Sequence, residues 1–243
     1  MRRIANIVLL LFMGAAPALA DTAVPQPSPP NPAWIASPEA IARTRAIVAN
    51  TKGTDGVFTV GDDGSIRHVQ SGLLCPPKFP NVDFWHAEIF NSSLGPGSDI
   101  GCDYGRNGPD GHAISKLTIF ATKVPDDLTL DQAFQHYRGQ LLRVAPGAKS
   151  EGQALDVKND GSSSFPDIRS EEFAETRDGQ DYTTQILVAV GKGWVFEIRT
   201  TFEGASNRVV IPQGGTAHDG ALAMGDRMML AAAYVVLAAA LAK

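Results

Sequence analysis

The sequence predicts an α+β protein: antiparallel sheet or sheets flanked by helices, with one disulfide. Three observations lead there. Several segments alternate apolar and polar residues with period two, the mark of strands wetted on one face and so paired antiparallel. Two segments instead open on helix caps, with apolar residues at helical spacing behind them. Two cysteines, Cys75 and Cys102, are the only ones in 243 residues.

Taken in order, the chain opens with Arg2 and Arg3, an apolar run from Ile7 to Phe12, and Ala18-Leu19-Ala20. A basic start, a short apolar stretch and a small-x-small ending predict a signal peptide over residues 1–20, cleaved before Asp21. The run is too short to cross a bilayer, which takes about 20 apolar residues. Residues 21–32, DTAVPQPSPPNP, hold too much proline for a helix or central strand and read as an extended leader. A single α+β domain is expected over 33–243, with a subdivision near 124–128 as the alternative.

Ser37-Pro38-Glu39 is a helix start: a capping hydroxyl, proline in the first turn and a carboxylate at the positive end. Ala40, Ile41, Ile47 and Val48 share a face, and Asn50 and Gly53 close the helix after about Ala49. Residues 57–60 and 66–70 flank Gly61-Asp62-Asp63-Gly64, a hairpin composition. In 84–90, Trp85, Ala87 and Ile89 alternate with His86 and Glu88. Ile100, Cys102 and Tyr104 oppose Asp99 and Asp103, and Leu117, Ile119 and Ala121 mark a strand over 113–123. Thr129-Leu130-Asp131-Gln132 is a capping box, followed by Phe134, Tyr137 and Leu141 at helical spacing and a stop at Ala145-Pro146-Gly147. A meander over 173–177, 182–190 and 194–202 follows, with Phe196 and Ile198 facing away from Glu197 and Arg199. A closing helix is expected from about Asp219 to Leu241. Its uncharged part, 228–242, is short of a membrane span and reads as a helix buried on the sheet.

Charge narrows the partners. Lys and Arg number 21 against 26 Asp and Glu, a net charge of −5, and cleavage after Ala20 would remove two further cations. An acidic chain without clustered Lys and Arg argues against nucleic acid or an anionic membrane surface. In an oxidising compartment the Cys75–Cys102 pair reads as a disulfide that stabilises the fold by roughly 3 to 4 kcal/mol. A redox or nucleophilic thiol is the competing reading, and it would favour Cys-x-x-Cys spacing.

Catalytic candidates must be inferred from strand pairing. Matching the apolar faces of 84–90 and 99–104 sets Trp85 opposite Tyr104 and His86 opposite Asp103, with Glu88 on the same face and Lys116 within approach of Asp103. A His–Asp pair can orient an imidazole as a general base; a solvated face of mixed charge is the plainer alternative. His112 lies in a glycine-rich loop before a strand, and His136 lies off the apolar stripe of its helix. His68 belongs to the hairpin and His218 precedes the closing helix. None shows zinc spacing, so no metal is expected unless distant residues assemble one. No cofactor is expected either. Residues 50–55 have the outline of the phosphorylation loop of haloacid-dehalogenase-type enzymes, but Asn50 stands where an aspartate is required. Residues 156–167 have the length of a calcium loop, with Lys158 at a ligand position and Asp167 in place of the glutamate. Gly95-Pro96-Gly97 with Gly101 misses dinucleotide spacing.

From Leu128-Thr129-Leu130-Asp131 through the 173–202 meander to the closing helix, the element order resembles exported PsbP-like α+β domains. That resemblance implies a sheet flanked by helices, used for binding and assembly more than for catalysis. The expectation is a periplasmic or secreted, non-enzymatic binding or envelope-associated module, its partner a periplasmic protein or envelope component. A periplasmic hydrolase using His86 and Asp103 is the alternative, and a structural role in the envelope is a third.

Overall fold

The computed structural model describes residues 36–154 and 167–204, together with Ala233, Val236, Leu237, Ala240 and Leu241 of a terminal helix. The expected signal peptide, proline-rich leader, most of the 156–167 loop and His218 lie outside the described residues.

Helix α1 (Pro38–Asn50) is capped by Ser37, whose hydroxyl accepts from the Ala40 amide at 3.3 Å. It buries Ala40, Thr44 and Val48. Thr44 escapes an apolar-stripe reading because its hydroxyl donates to the Ala40 carbonyl at 3.0 Å, which leaves a methyl for the core. A small antiparallel sheet follows, β1 (Phe58–Val60), β2 (Ile66–His68) and β3 (Leu74–Cys75). Eight strands make the main sheet: β4 (Lys78–Phe79), β5 (Val82–Ile89), β6 (Asp99–Asn107), β7 (Ala113–Lys123), β8 (Lys149–Gly152), β9 (Ile168–Arg177), β10 (Gln180–Gly191) and β11 (Trp194–Glu203). Their spatial order is β4-β5-β6-β7-β11-β10-β9-β8, antiparallel throughout. Helix α2 (Leu130–Val144) crosses between β7 and β8. The α+β expectation holds, and so does the disulfide: Cys75 and Cys102 are bonded and tie the small sheet to β6.

The inner face of the main sheet carries the larger core. Phe84, Ala87, Ile100, Tyr104, Leu117, Ile119, Phe196 and Ile198 pack there against Val48 of α1 and against Phe58, Ile66 and Leu73. Ala233, Val236, Leu237 and Ala240 of the terminal helix join the same cluster, at spacings of three and four residues that share one helical face. Tyr104 is fully buried, stacked edge-on with Phe79 and Phe84, and donates to the Pro76 carbonyl at 2.8 Å. On the outer face, α2 covers only the β9-β10-β11 side. Phe134, Tyr137 and Leu141 meet Phe173, Ile186, Val188 and Val195 there. The capping box is formed, with Thr129 and Gln132 satisfying each other's backbone amides. Over β5, β6 and β7 no helix lies on the outer face among the described residues, and that bare half of the sheet holds the candidate site.

One strand register differs from expectation. Phe84, not Trp85, pairs with Tyr104, and a bulge between Phe84 and His86 makes Trp85 the extra residue. The segment around Cys75 also divides: Leu74–Cys75 joins the small sheet, and the chain enters the main sheet from Lys78 onward. Among the described residues no helix is long and apolar enough to cross a membrane.

Candidate functional site on the bare sheet face

The bulge at Trp85 decides which side chains reach the outer face. With an unbroken period of two from Phe84, Trp85 would stand opposite Asp103 and His86 would turn inward beside Cys102. The extra residue instead sends both Trp85 and His86 outward, while Phe84 and Ala87 remain in the core. His86 then pairs directly with Asp103, as the sequence predicts, and Glu88 follows on the same face. The expected company of Lys116 is also observed.

Asp103 is the centre of this group. It is 5% exposed, and Thr118, its cross-strand partner on β7, donates to Oδ1 at 2.6 Å. Oδ2 is treated differently. Its neighbours are His86 Nδ1 at 3.6 Å and Lys116 Nζ at 3.7 Å, both beyond hydrogen-bond distance. The carboxylate is thus anchored through one oxygen, while the other is held only at ion-pair distance. The side chains of His86 and Lys116 are half exposed, so the loose oxygen is reachable from solvent.

Aromatic rings wall the group on both sides, and two glycines of β6 make room for them. A Cβ on Gly105 would stand 2.1 to 2.4 Å from three atoms of the Trp85 six-membered ring. A Cβ on Gly101 would come within 3.2 to 3.3 Å of Phe90 and Phe120. Asp103 therefore lies between two bare backbone positions on which rings lie down. Phe90 and Phe120 stand 6.1 Å apart, and the Arg199 guanidinium lies 5.9 Å over the Phe120 ring. Together Glu88, Phe90, Asp103, Lys116, Thr118, Phe120, Arg199 and Thr201 line a depression of about 300 Å³. Past Trp85 the surface continues into a second depression of about 510 Å³ that includes Arg43, Lys78 and Arg106.

Where the bare face meets α2, a second set of polar groups is locked. Arg199 donates twice to Glu197, at 2.6 and 3.1 Å. Burial pushes the Glu197 carboxyl up, with Arg199 pulling the other way. Burial likewise raises Asp99, which accepts from Thr122 at 2.9 Å, and lifts the Tyr137 phenol to about 12. These groups hold the wall in place; their bonds are spent on one another.

The remaining histidines stand apart. His112 bridges Asp110 through one ring nitrogen and Glu203 through the other, at 2.5 Å to the latter, closing the β6–β7 loop onto the end of β11. The Glu203 hydrogen bond, then the Asp110 one, raise its pKa. With carboxylates at opposite ends of the ring, this is a clamp. His136 is exposed and pairs with Gln140 at 2.7 Å. His68 is fully buried between the edges of Phe58 and Trp194, with Nδ1 at 2.7 Å from the Ser71 hydroxyl. Its Nε2 has no partner at hydrogen-bond geometry among the described residues, and burial lowers the ring to about 4, with the Gly97 backbone pulling the other way. The sequence reading missed Thr118 and the two glycines, although Gly101-x-Asp103-x-Gly105 was legible as small residues flanking a carboxylate on one strand face.

The chain matches no protein-family model and no curated protein. Among solved structures it is similar to LpqN of Mycobacterium tuberculosis, described as involved in cell envelope biogenesis. The match has 17% identity and a TM-score of 0.26, over 49% of this chain and 68% of that one. At that level of superposition the two share neither a demonstrated fold nor a demonstrated site. The order of α2, meander and terminal helical positions is observed; kinship with PsbP-like domains is an expectation from that order alone.

Proposed function

We propose that this chain is an exported, non-catalytic binding module of the cell envelope, and that the bare outer face around Asp103 is where its ligand sits. The observation that carries the reading is the combination on that face. A buried carboxylate with a loose oxygen lies between aromatic rings seated on glycine, in a depression that no described helix covers. Aromatic surface beside a few fixed polar groups is the general make-up of a binding site. Export is supported by the signal-like residues 1–20 and by a disulfide, a bond that persists in oxidising compartments.

Catalysis by a nucleophile is disfavoured by how the hydroxyl is used. Thr118 donates its hydrogen bond to Asp103, and among the described residues no hydroxyl or thiol is bonded to His86. A triad would need the imidazole between the hydroxyl and the carboxylate. Here the carboxylate lies between the other two. The second reading, a hydrolase in which His86 activates water, is favoured by the His86–Asp103 approach alone.

Chemical crosslinking in the native envelope tests the first reading. The wild type is expected to give a defined adduct that Phe120→Ala reduces several-fold, since the ring provides contact surface. Recovery of no adduct, or an adduct indifferent to the face, would count against it. An esterase, phosphatase and peptidase screen on the wild type and His86→Ala tests the second: turnover that disappears with His86 would establish an enzyme.

A further inference from the structure

His86, Glu88 and Asp103 are brought together by three separate features of the fold. The Trp85 bulge turns His86 outward, the period of two places Glu88 beside it, and the β5–β6 register sets Asp103 across from His86. Each offers one ligand atom, and the three atoms lie within 4.8 Å of one another. Around a divalent ion with bonds of about 2.0 to 2.2 Å, neighbouring ligand atoms stand about 3 to 4 Å apart. His86 is exposed and Glu88 half-buried, so these two side chains have the freedom to close that difference around the buried carboxylate.

A second, independent observation concerns Asp103 itself. Its side chain is more than nine-tenths buried, and Oδ2 is aimed into the cluster with no hydrogen bond. Thr118 fixes the other oxygen, which orients the carboxylate as a supporting hydrogen bond orients a metal ligand. The nitrogens near Oδ2, His86 Nδ1 and Lys116 Nζ, are the ends of two half-exposed side chains.

We propose that His86, Glu88 and Asp103 form a binding site for a divalent first-row transition ion of the zinc class, held by one imidazole nitrogen and two carboxylate oxygens with its remaining positions open to the depression. One nitrogen and two carboxylates suit a borderline ion better than calcium, which wants more oxygens, or copper(I), which wants sulfur. Lys116 is then a tethered competitor. Its ammonium occupies the approach to Oδ2 at 3.7 Å and must swing outward when the ion enters. The His112 clamp cannot substitute, because its two carboxylates engage opposite ring nitrogens.

The inference deepens the binding reading by naming what the polar end of the face takes. The test is calorimetric titration of the chelator-treated, disulfide-intact chain with zinc chloride, repeated with cobalt(II) followed by visible absorbance. One ion per chain is expected, weakened at least tenfold by His86→Ala and by Glu88→Gln. It should be tightened several-fold by Lys116→Met and left unchanged by His112→Ala, with circular dichroism showing each variant folded. The opposite signs at Glu88 and Lys116 separate ligation from general disturbance. Absence of binding at millimolar zinc, or binding insensitive to His86→Ala and Glu88→Gln, overturns the metal site. Envelope crosslinking that still depends on Phe120 would then leave the binding reading intact.

Discussion

Two histidines show how position sets the sign of a pH effect. His68 is buried and held neutral, with its folded pKa near 4 against an ordinary value of about 6.5. On acidification the unfolded chain takes up that proton first. The stability His68 contributes is therefore intact above pH 6.5 and is lost as the pH falls from 6.5 through 4. His112 runs the other way: its raised pKa means its contribution is present below about 6.5 and is lost as pH rises through the folded value. Urea unfolding at pH 7, 5.5 and 4.5 should show a progressive loss that His68→Leu flattens and His112→Ala does not. A loss unaffected by His68→Leu would place the acid sensitivity elsewhere. Gly105 makes a steric prediction at the same scale. Gly105→Ala puts a methyl group into the Trp85 ring, at a cost of about 1 to 3 kcal/mol by the usual range for overpacking. The additional change Trp85→Ala should recover much of that cost in chemical denaturation, because it removes the obstacle.

Helix α2 was legible in the sequence because a capping box and three apolar residues at helical spacing, Phe134, Tyr137 and Leu141, agree with each other. Thr129→Ala should cost about 1 kcal/mol in a thermal or chemical melt, the ordinary value of an N-cap. A negligible change would mean that packing alone holds the helix. Long alternating strands were legible for the same reason: β7 covers 113–123 as expected, and β11 turns Phe196 and Ile198 inward and Glu197 and Arg199 outward. Strands β3 and β4 have two residues each, too few to show any period. All four residues of β8 are exposed, so no apolar face announces it. The bulge at Trp85 was hidden because a period-two reading has no place for an extra residue. Phe84 beside Trp85, two large aromatics in succession, was the available hint that the alternation slips there. His86 opposite Asp103 was nevertheless predicted, since Ala87 and Ile89 beyond the bulge are in phase with Cys102 and Ile100.

At the scale of the whole molecule, the inner face of the main sheet is covered by α1, the small sheet and the terminal helix, and the outer face is half covered by α2. The disulfide joins the small sheet to the strand that carries Asp103. Its 27-residue separation predicts a loss of roughly 3 to 4 kcal/mol on reduction or in Cys75→Ser/Cys102→Ser. Comparison of urea midpoints with and without reductant checks this, and equal midpoints would contradict it. The bare half of the outer face is where the central claim is exposed to test. A benzoylphenylalanine photocrosslinker at Phe120, beside Asp103 and the aromatic wall, can be compared with the same group at Val144, exposed at the end of α2. Irradiated in the native envelope, position 120 is predicted to give one discrete adduct and position 144 none. No adduct from 120, or the same products from both positions, would contradict the assignment of this face as the binding surface.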